Sequence, residues 1–386
     1  MKAGWHITAF LATLGLIGGG VGGFYLRNKD ESQQTEQVEK NVELKTDAFS
    51  VRLFQQNLAE KSGNVLVAPK NLSRGLLALQ DIAGGKTLEE LQALGLESES
   101  QLRSAEPVCA ALLGMDYNLK RGEKASSAMP LPFSDNVPMA LSLFNGMMLP
   151  ATGNSGTQMV DSLMVSSRTR LLAACATQCK KEWDIPFYTA NTRMADFDNA
   201  SGGMPPFAQM RARGLFRTAQ AADGSWKAVA LPFKAENEQQ IPLVYIGILP
   251  AGNAREFGRS LTAEKLTEIR KALAGATPED TLVELPRLEL QVLPYDMRDT
   301  LRRMGLKALF DTEAADFSAL TPDKIHLGAF VHALSVSLIE NPGKKQPDTE
   351  LDYAAKCMSF SRPYIWLITD LATGTTIDFM GLIEEM

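Results

Sequence analysis

The hydrophobic period of this chain changes once along its length, and that change restricts what it can fold into. In the first ~120 residues apolar side chains recur at helical spacing. Asp47 caps a run carrying Phe49, Leu53, Phe54 and Leu58, and Leu72, Leu76, Leu77 and Leu79 follow Pro69. Thr87-Leu-Glu-Glu-Leu reads as a cap with acids in the first turn. A short strand, Asn64 to Ala68, lies between the first two runs. From Met139 onward extended segments are expected at Ala140 to Met148, Arg170 to Thr177, Lys227 to Pro232, Leu243 to Leu249, Thr281 to Leu285 and Tyr364 to Ile368. Helices are expected at Thr262 to Leu273 and Met297 to Met304. Helices first and antiparallel strands later describe an α+β domain. A chain of 386 residues, 45% of them hydrophobic, can bury a large core. No internal repeat and no second linker interrupts it, so one domain is expected over 45–386.

Ahead of that domain, Gly4 to Leu26 carries no Asp, Glu, Lys or Arg and is flanked by Lys2, Arg27 and Lys29. That is the length of a membrane span. The centre, Ile7 to Ile17, followed by Gly18, Gly19 and Gly20, also fits a secretory signal, although no A-x-A site is present. Phe24, Tyr25 and Leu26 extend the apolar run past the glycines, which favours an uncleaved anchor. Residues 1–28 are therefore expected to be an anchor or signal peptide, and 29–44 a polar linker, with the domain exported. Gly18, Gly20 and Gly23 spell GxGxxG, but no strand precedes them, so no nucleotide site is implied. Gly15, Gly19 and Gly23 would share one face of a membrane helix, a spacing that permits close helix approach.

Several functions are disfavoured by composition. A net charge of -6, with no Lys/Arg block longer than two, leaves no footprint for nucleic acid. Cys109, Cys175, Cys179 and Cys357 form neither paired zinc ligands nor a dense disulfide frame. In a continuing strand Cys175 and Cys179 lie more than ~12 Å apart, too far to bridge. The three histidines, His6, His326 and His332, accompany no nucleophile elbow and no zinc helix. Glu89 with Glu90, and Glu279 with Asp280, sit in polar stretches and are expected to be solvated rather than catalytic. No enzyme, cofactor or metal is expected.

A series of motifs then occurs in a telling order. Asn64-Val-Leu-Val-Ala-Pro-Lys-Asn-Leu is followed by Trp183-Asp-Ile-Pro-Phe187, Ala228-Val-Ala-Leu-Pro-Phe233, Ile246-Gly-Ile-Leu-Pro250 and Val283-Glu-Leu-Pro-Arg287. Arg302-Arg-Met-Gly-Leu-Lys-Ala-Leu-Phe310, Asp316-Phe-Ser-Ala-Leu320, Phe330-Val-His332, Arg362-Pro-Tyr-Ile-Trp-Leu-Ile-Thr-Asp, Thr373-Gly and Phe379-Met-Gly381 complete it. This series resembles the serpin family over nearly all of Lys45 to Met386. The resemblance implies a large, antiparallel-rich main sheet with smaller sheets, surrounding helices, and a reactive loop between His332 and Pro363. In inhibitory members that loop, once cut, enters the main sheet as a new strand and disables the protease.

Measured against that expectation, the loop departs from the inhibitory pattern. The resemblance matches Glu340 to the hinge glutamate, and Asn341-Pro-Gly-Lys-Lys-Gln-Pro follows where small residues are expected. Strand alternation would send either Lys344 or Lys345 to a core face. Pro342 and Pro347, on either side of Gly343 and the lysine pair, cannot donate to a sheet ladder. Counting sixteen residues from Glu340, as the resemblance suggests, makes Lys356 and Cys357 the scissile pair, suited to a trypsin-like enzyme. The stretch between strands at Leu141 and Leu171 is about thirty residues, and most of a helix, an edge strand and a crossing helix is expected to be deleted from it. His332 matches the histidine of the family's sheet-opening cluster, while Cys175 and Ala68 stand at polar positions and Asn71 replaces a serine. A lone His332 would be a core histidine rather than a switch.

Two functions follow as expectations: a non-inhibitory binding or structural protein outside the cytoplasm, or an inhibitor of a trypsin-like serine protease. The partners expected are a protease or another protein, and the membrane through residues 1–28. Asn71-Leu-Ser73 and Asn199-Ala-Ser201 also match the glycosylation pattern.

Overall fold

In the computed structural model the structure describes residues 48–96, 109–152, 158–235, 243–341, 351, 354–371 and 377–386. The expected anchor at 1–28 and linker at 29–44 lie outside the described residues, as does Asp47. Helix α1 spans 48–60 and buries Phe49, Leu53, Phe54 and Leu58, the apolar positions of its periodicity. Strand β1 (Val65–Val67) leads into α2 (Pro69–Gln80), where Pro69 occupies the first turn and needs no hydrogen-bond partner for its nitrogen. Helix α3 (Gly85–Gln92) starts two residues earlier than Thr87, with Gly84 as its cap. Thr87 instead turns its hydroxyl to accept the Asp316 N–H at 2.9 Å.

Two sheets organise the rest. One has five strands in the order β10 (Leu288–Asp296), β11 (Leu327–Leu338), β4 (Leu171–Lys180), β2 (Cys109–Asp116), β3 (Met129–Leu131). The other has nine and runs β1, β14 (Ile377–Ile383), β13 (Tyr364–Asp370), β8 (Leu243–Pro250), β7 (Trp226–Pro232), β6 (Pro206–Gln220), β9 (Glu279–Pro286), β12 (Lys356–Ser359), with β5 (Arg193–Asp196) on β6. Helices α5 (Ala254–Ser260), α6 (Ala263–Gly275) and α7 (Arg298–Arg303) complete the described helices. Thr262 caps α6 by accepting the Lys265 N–H at 3.2 Å.

The segment Ala140 to Met148 is not a strand. It belongs to helix α4 (Val137–Met148), whose cap Asn136 accepts the Met139 N–H at 3.0 Å. Ala140, Phe144 and Met148, four apart, are buried against Leu172, Ala174 and Ala176 of β4 and Ala329, Val331 and Ala333 of β11. The expected deletion is thereby corrected. The strand preceding the stretch is β2, and between it and β4 lie a short 3-10 turn (Ala125–Ser127), the edge strand β3 and the crossing helix α4. Among the described residues the first expected helix is reduced to that single turn.

Strand alternation gives the five-stranded sheet two covered faces. Leu171, Ala173 and Cys175 join Leu72, Leu76 and Leu79 of α2 on one side, while the even-numbered residues face α4. Helix α2 lies close: a Cβ on Gly75 would meet Phe330 Cζ at 2.8 Å and Cys175 Sγ at 3.4 Å. Higher along the same strands, Cys179, Leu334, Val336 and Leu338 meet the nine-stranded sheet in a second core with Trp183, Phe233, Tyr245 and Trp366. Cys175 and Cys179 are buried thiols not joined to each other, as the strand spacing requires.

Candidate functional site

Strands β4 and β11 run parallel and paired from Leu171 opposite Leu327 to Lys180 opposite Ser337, with one irregularity between Leu327 and Ala329. The five-stranded sheet has two parallel pairs, β2–β3 at its edge and β4–β11 in its interior, and the interior pair is flanked on both sides by antiparallel neighbours. It is a seam where a further strand could enter antiparallel to both neighbours and bond each of them. Here the seam is closed along its length.

At mid-seam His332 stands opposite Cys175 and is 1% exposed. Its Nε2 lies 3.1 Å from Asn71 Oδ1, and Asn71 Nδ2 donates to Ala176 O at 3.1 Å. Because the amide nitrogen is committed to Ala176, its oxygen faces the ring and Nε2 carries the proton. Asn71 of α2 thus ties both strands of the seam together. Burial, with Lys61 adding its charge, pushes His332 down to about 3, so the imidazole is neutral. His332 is therefore partnered, not alone, and the partner is the residue that replaces the expected serine. The same burial, with Asn71 2% exposed, removes Asn71-Leu-Ser73 as a glycosylation acceptor.

At the top of the seam β11 ends in a polar clamp. Trp183 Nε1 donates to Ile339 O at 2.9 Å, Asn341 N donates to Phe187 O at 2.8 Å, and Asn341 Nδ2 donates to Trp183 O at 3.0 Å. The indole is fully buried, stacked on Phe233 at 4.8 Å and edge-on to Phe187 and Tyr245. Glu340, buried, accepts from Arg287 Nη2 at 2.7 Å, Arg287 Nε at 3.0 Å and Thr192 Oγ1 at 2.5 Å. Burial alone would raise this carboxyl, but the hydrogen bonds from Arg287 and Thr192 outweigh it and hold the group below the ordinary 4.5.

Between β11 and β12 run seventeen residues, 339–355. Pro342, Gly343, Lys344, Lys345 and Pro347 lie outside the described residues. Lys356 and Cys357 lie in β12, paired in parallel with Thr281 and Leu282 of β9, and Lys356 forms an ion pair with Glu279. Asp280 accepts from Arg213 Nη2 at 2.6 Å and from Arg213 Nε at 2.7 Å, and Glu90 accepts the Lys307 and Ala308 N–H groups at 2.7 Å. Glu89 and Glu279 are exposed, as expected, while Glu90 and Asp280 are half-buried in these structural contacts. No cluster of three or more His, Cys, Asp or Glu able to hold a metal occurs among the described residues.

A family model for Serpin (serine protease inhibitor) matches residues 121–385. The chain belongs to the serpin family. Serine protease inhibitor 42Dd of Drosophila melanogaster is 26% identical over 288 residues, covering 68% of this chain and 74% of that protein. Serpin B5 of Mus musculus is 22% identical over 88% of this chain and 98% of its own length. The crystal structure of Manduca sexta Serine protease inhibitor (Serpin)-12 superposes with a TM-score of 0.74 at 20% identity, covering 88% of this chain and 98% of that one. The serpin fold expected from the motif series is therefore present. Within it, the 339–355 connection occupies the place expected of the reactive loop. Sequence reasoning placed Glu340 and His332 but missed Arg287, Thr192 and Asn341 as the clamp. Arg287 closes the quoted Val283-to-Arg287 motif, and its position just after β9 was the available signal.

Proposed function

We propose that this serpin is a non-inhibitory, non-catalytic binding or structural protein, exported and held at the membrane by its N-terminal apolar segment. The observation that carries the reading is the chemistry required at the seam by the loop that would have to enter it. An inserted strand would separate β4 from β11 at a level where Cys179, Leu334 and Val336 form one covered face. Alternation turns Lys344 or Lys345 toward that face, and an unpaired ammonium there costs several kcal/mol. Pro342 and Pro347 each remove a ladder donor at the start of the same strand. Three further features support the reading. The clamp of Glu340, Arg287 and Asn341 ties down the loop's first residues, Asn71 and His332 tie the seam below, and Lys356 and Cys357 are paired in β12.

Export rests on Gly4 to Leu26 alone. Among the described residues no helix is long and apolar enough to cross a membrane. The second reading, inhibition of a trypsin-like protease, draws on relatives named as serine protease inhibitors and on the retained glutamate at position 340. The test is to nick the full-length protein in its loop with a trypsin-like protease and to compare thermal melting before and after. The expected result is cleavage with unchanged melting and no covalent complex on a denaturing gel. A large upward shift with such a complex would establish the inhibitory reading instead.

A further inference from the structure

Helix α4 has a face that nothing else in the described fold covers. Ala140, Phe144 and Met148 point into the sheet, and the opposite side carries two rows of four-residue spacing. One row is Met139, Leu143 and Met147, exposed by 52%, 40% and 59%. The row beside it is Pro138, Ser142 and Gly146, all exposed, and no atom lies within 4 Å of where a Gly146 Cβ would be. A ridge of long flexible side chains thus runs alongside a groove of small ones.

The surroundings share its character. From Asn136 to Val160 the sequence contains no Asp, Glu, Lys or Arg, in a protein where 22% of residues are charged. An exposed helix in water ordinarily places charged and polar groups on its outer side. Depletion of charge with enrichment in methionine is instead the composition of an interface core.

We propose that α4 is the contact surface for a second copy of this chain, packed about a twofold axis. The ridge and the groove are matched on one helix, so the Met139–Leu143–Met147 ridge of each copy can lie in the Pro138–Ser142–Gly146 groove of the other. That is the interdigitation of four-residue ridges that sets helices at about -50°. A twofold contact sets every residue against its own equivalents or their neighbours, so any charge on the face would meet a like charge. An uncharged face satisfies that condition, whereas a single complementary partner would place no such demand. Ser142 and Gly146 at four-residue spacing let the two backbones approach closely. One helix face is a small interface, below the roughly 1,200 Å² at which stable complexes begin, so the pair is a weak and reversible one.

The test uses the full-length protein with Cys357→Ser as background. With Ser142→Cys added, a short bis-maleimide cross-linker should give a covalent dimer at least tenfold more abundant than with the exposed Ser318→Cys control. Leu143→Lys and Leu143→Glu, each added to Ser142→Cys, should each abolish that dimer alone and restore it when the two proteins are mixed. Leu143 points outward, so neither change disturbs the fold, and circular dichroism checks this directly. Cross-linking no better than the control would overturn the proposal. So would a loss that mixing does not restore, which would assign the face to lipid or to a different protein.

Discussion

The middle and the top of the β4–β11 seam are closed by different means. In the middle a neutral imidazole and one amide bridge two strands inside an apolar core, with Asn71 joining His332 to Ala176. At the top a carboxylate holds an arginine and a threonine beside a buried indole. The difference follows from access to solvent. Mid-seam both faces are covered by α2 and α4, so an ionised group would be costly there and His332 stays uncharged. At the top the Arg287 side chain is 38% exposed while Glu340 is 4% exposed, so the pair keeps a charge-assisted bond with only one partner fully desolvated. Each end of the seam therefore responds to a different perturbation.

Substitution of Trp183 should break the comparison most. Trp183→Ala removes a fully buried ring, its stacking on Phe233 and its bond to Ile339, and should cost about 3–5 kcal/mol. The midpoint of denaturant unfolding measures it. Arg287→Ala should cost about 1.5–3 kcal/mol at neutral pH, because the buried Glu340 loses its charge-assisted bonds. The folded pKa of Glu340 lies below the ordinary 4.5, so its contribution is complete above that value and is lost as pH falls through the folded one. Unfolding curves of wild type and Arg287→Ala should therefore converge at acid pH; a constant gap would exclude the carboxylate as the cause.

The middle of the seam should respond in another window. His332 titrates near 3 when folded and near 6.5 when unfolded, so between those values the unfolded chain holds more protons. Stability then falls as pH drops from 7 to 5, by about 2 kcal/mol from this residue. His332→Gln should lack that part of the slope, whereas Arg287→Ala should keep it. The smallest effect belongs to Lys356→Ala. Lys356 and Glu279 form a surface pair, and its loss should leave the unfolding midpoint within experimental error.

Much of the architecture was legible because it repeats a local rule. Strands β4, β8 and β13 are short continuous apolar runs, covered on both faces, and helices α2 and α6 carry apolar residues at helical spacing. Helix α4 was misread for a physical reason: with its outer face as apolar as its inner one, it lacks the amphipathic contrast that marks a helix. Its burial at every fourth residue exists only once the sheet is beneath it. Thr87 was misread as a cap because Thr, Leu and two glutamates satisfy the local pattern, while Gly84 starts the helix and the Thr87 hydroxyl is taken by Asp316.

For the site, residue types that disfavour a strand could be read directly. Prolines and adjacent lysines at 342–347 constrain any backbone they belong to, wherever it lies. The family, the order of its motifs and Glu340 and His332 as positions of interest were likewise determined by the amino-acid sequence alone. Their partners were decided only in three dimensions. Asn71 stands 261 residues from His332, and Thr192 and Arg287 stand 148 and 53 from Glu340. Contacts at such separations are set by which strands pair and by how closely α2 lies against them, and no local periodicity encodes that pairing.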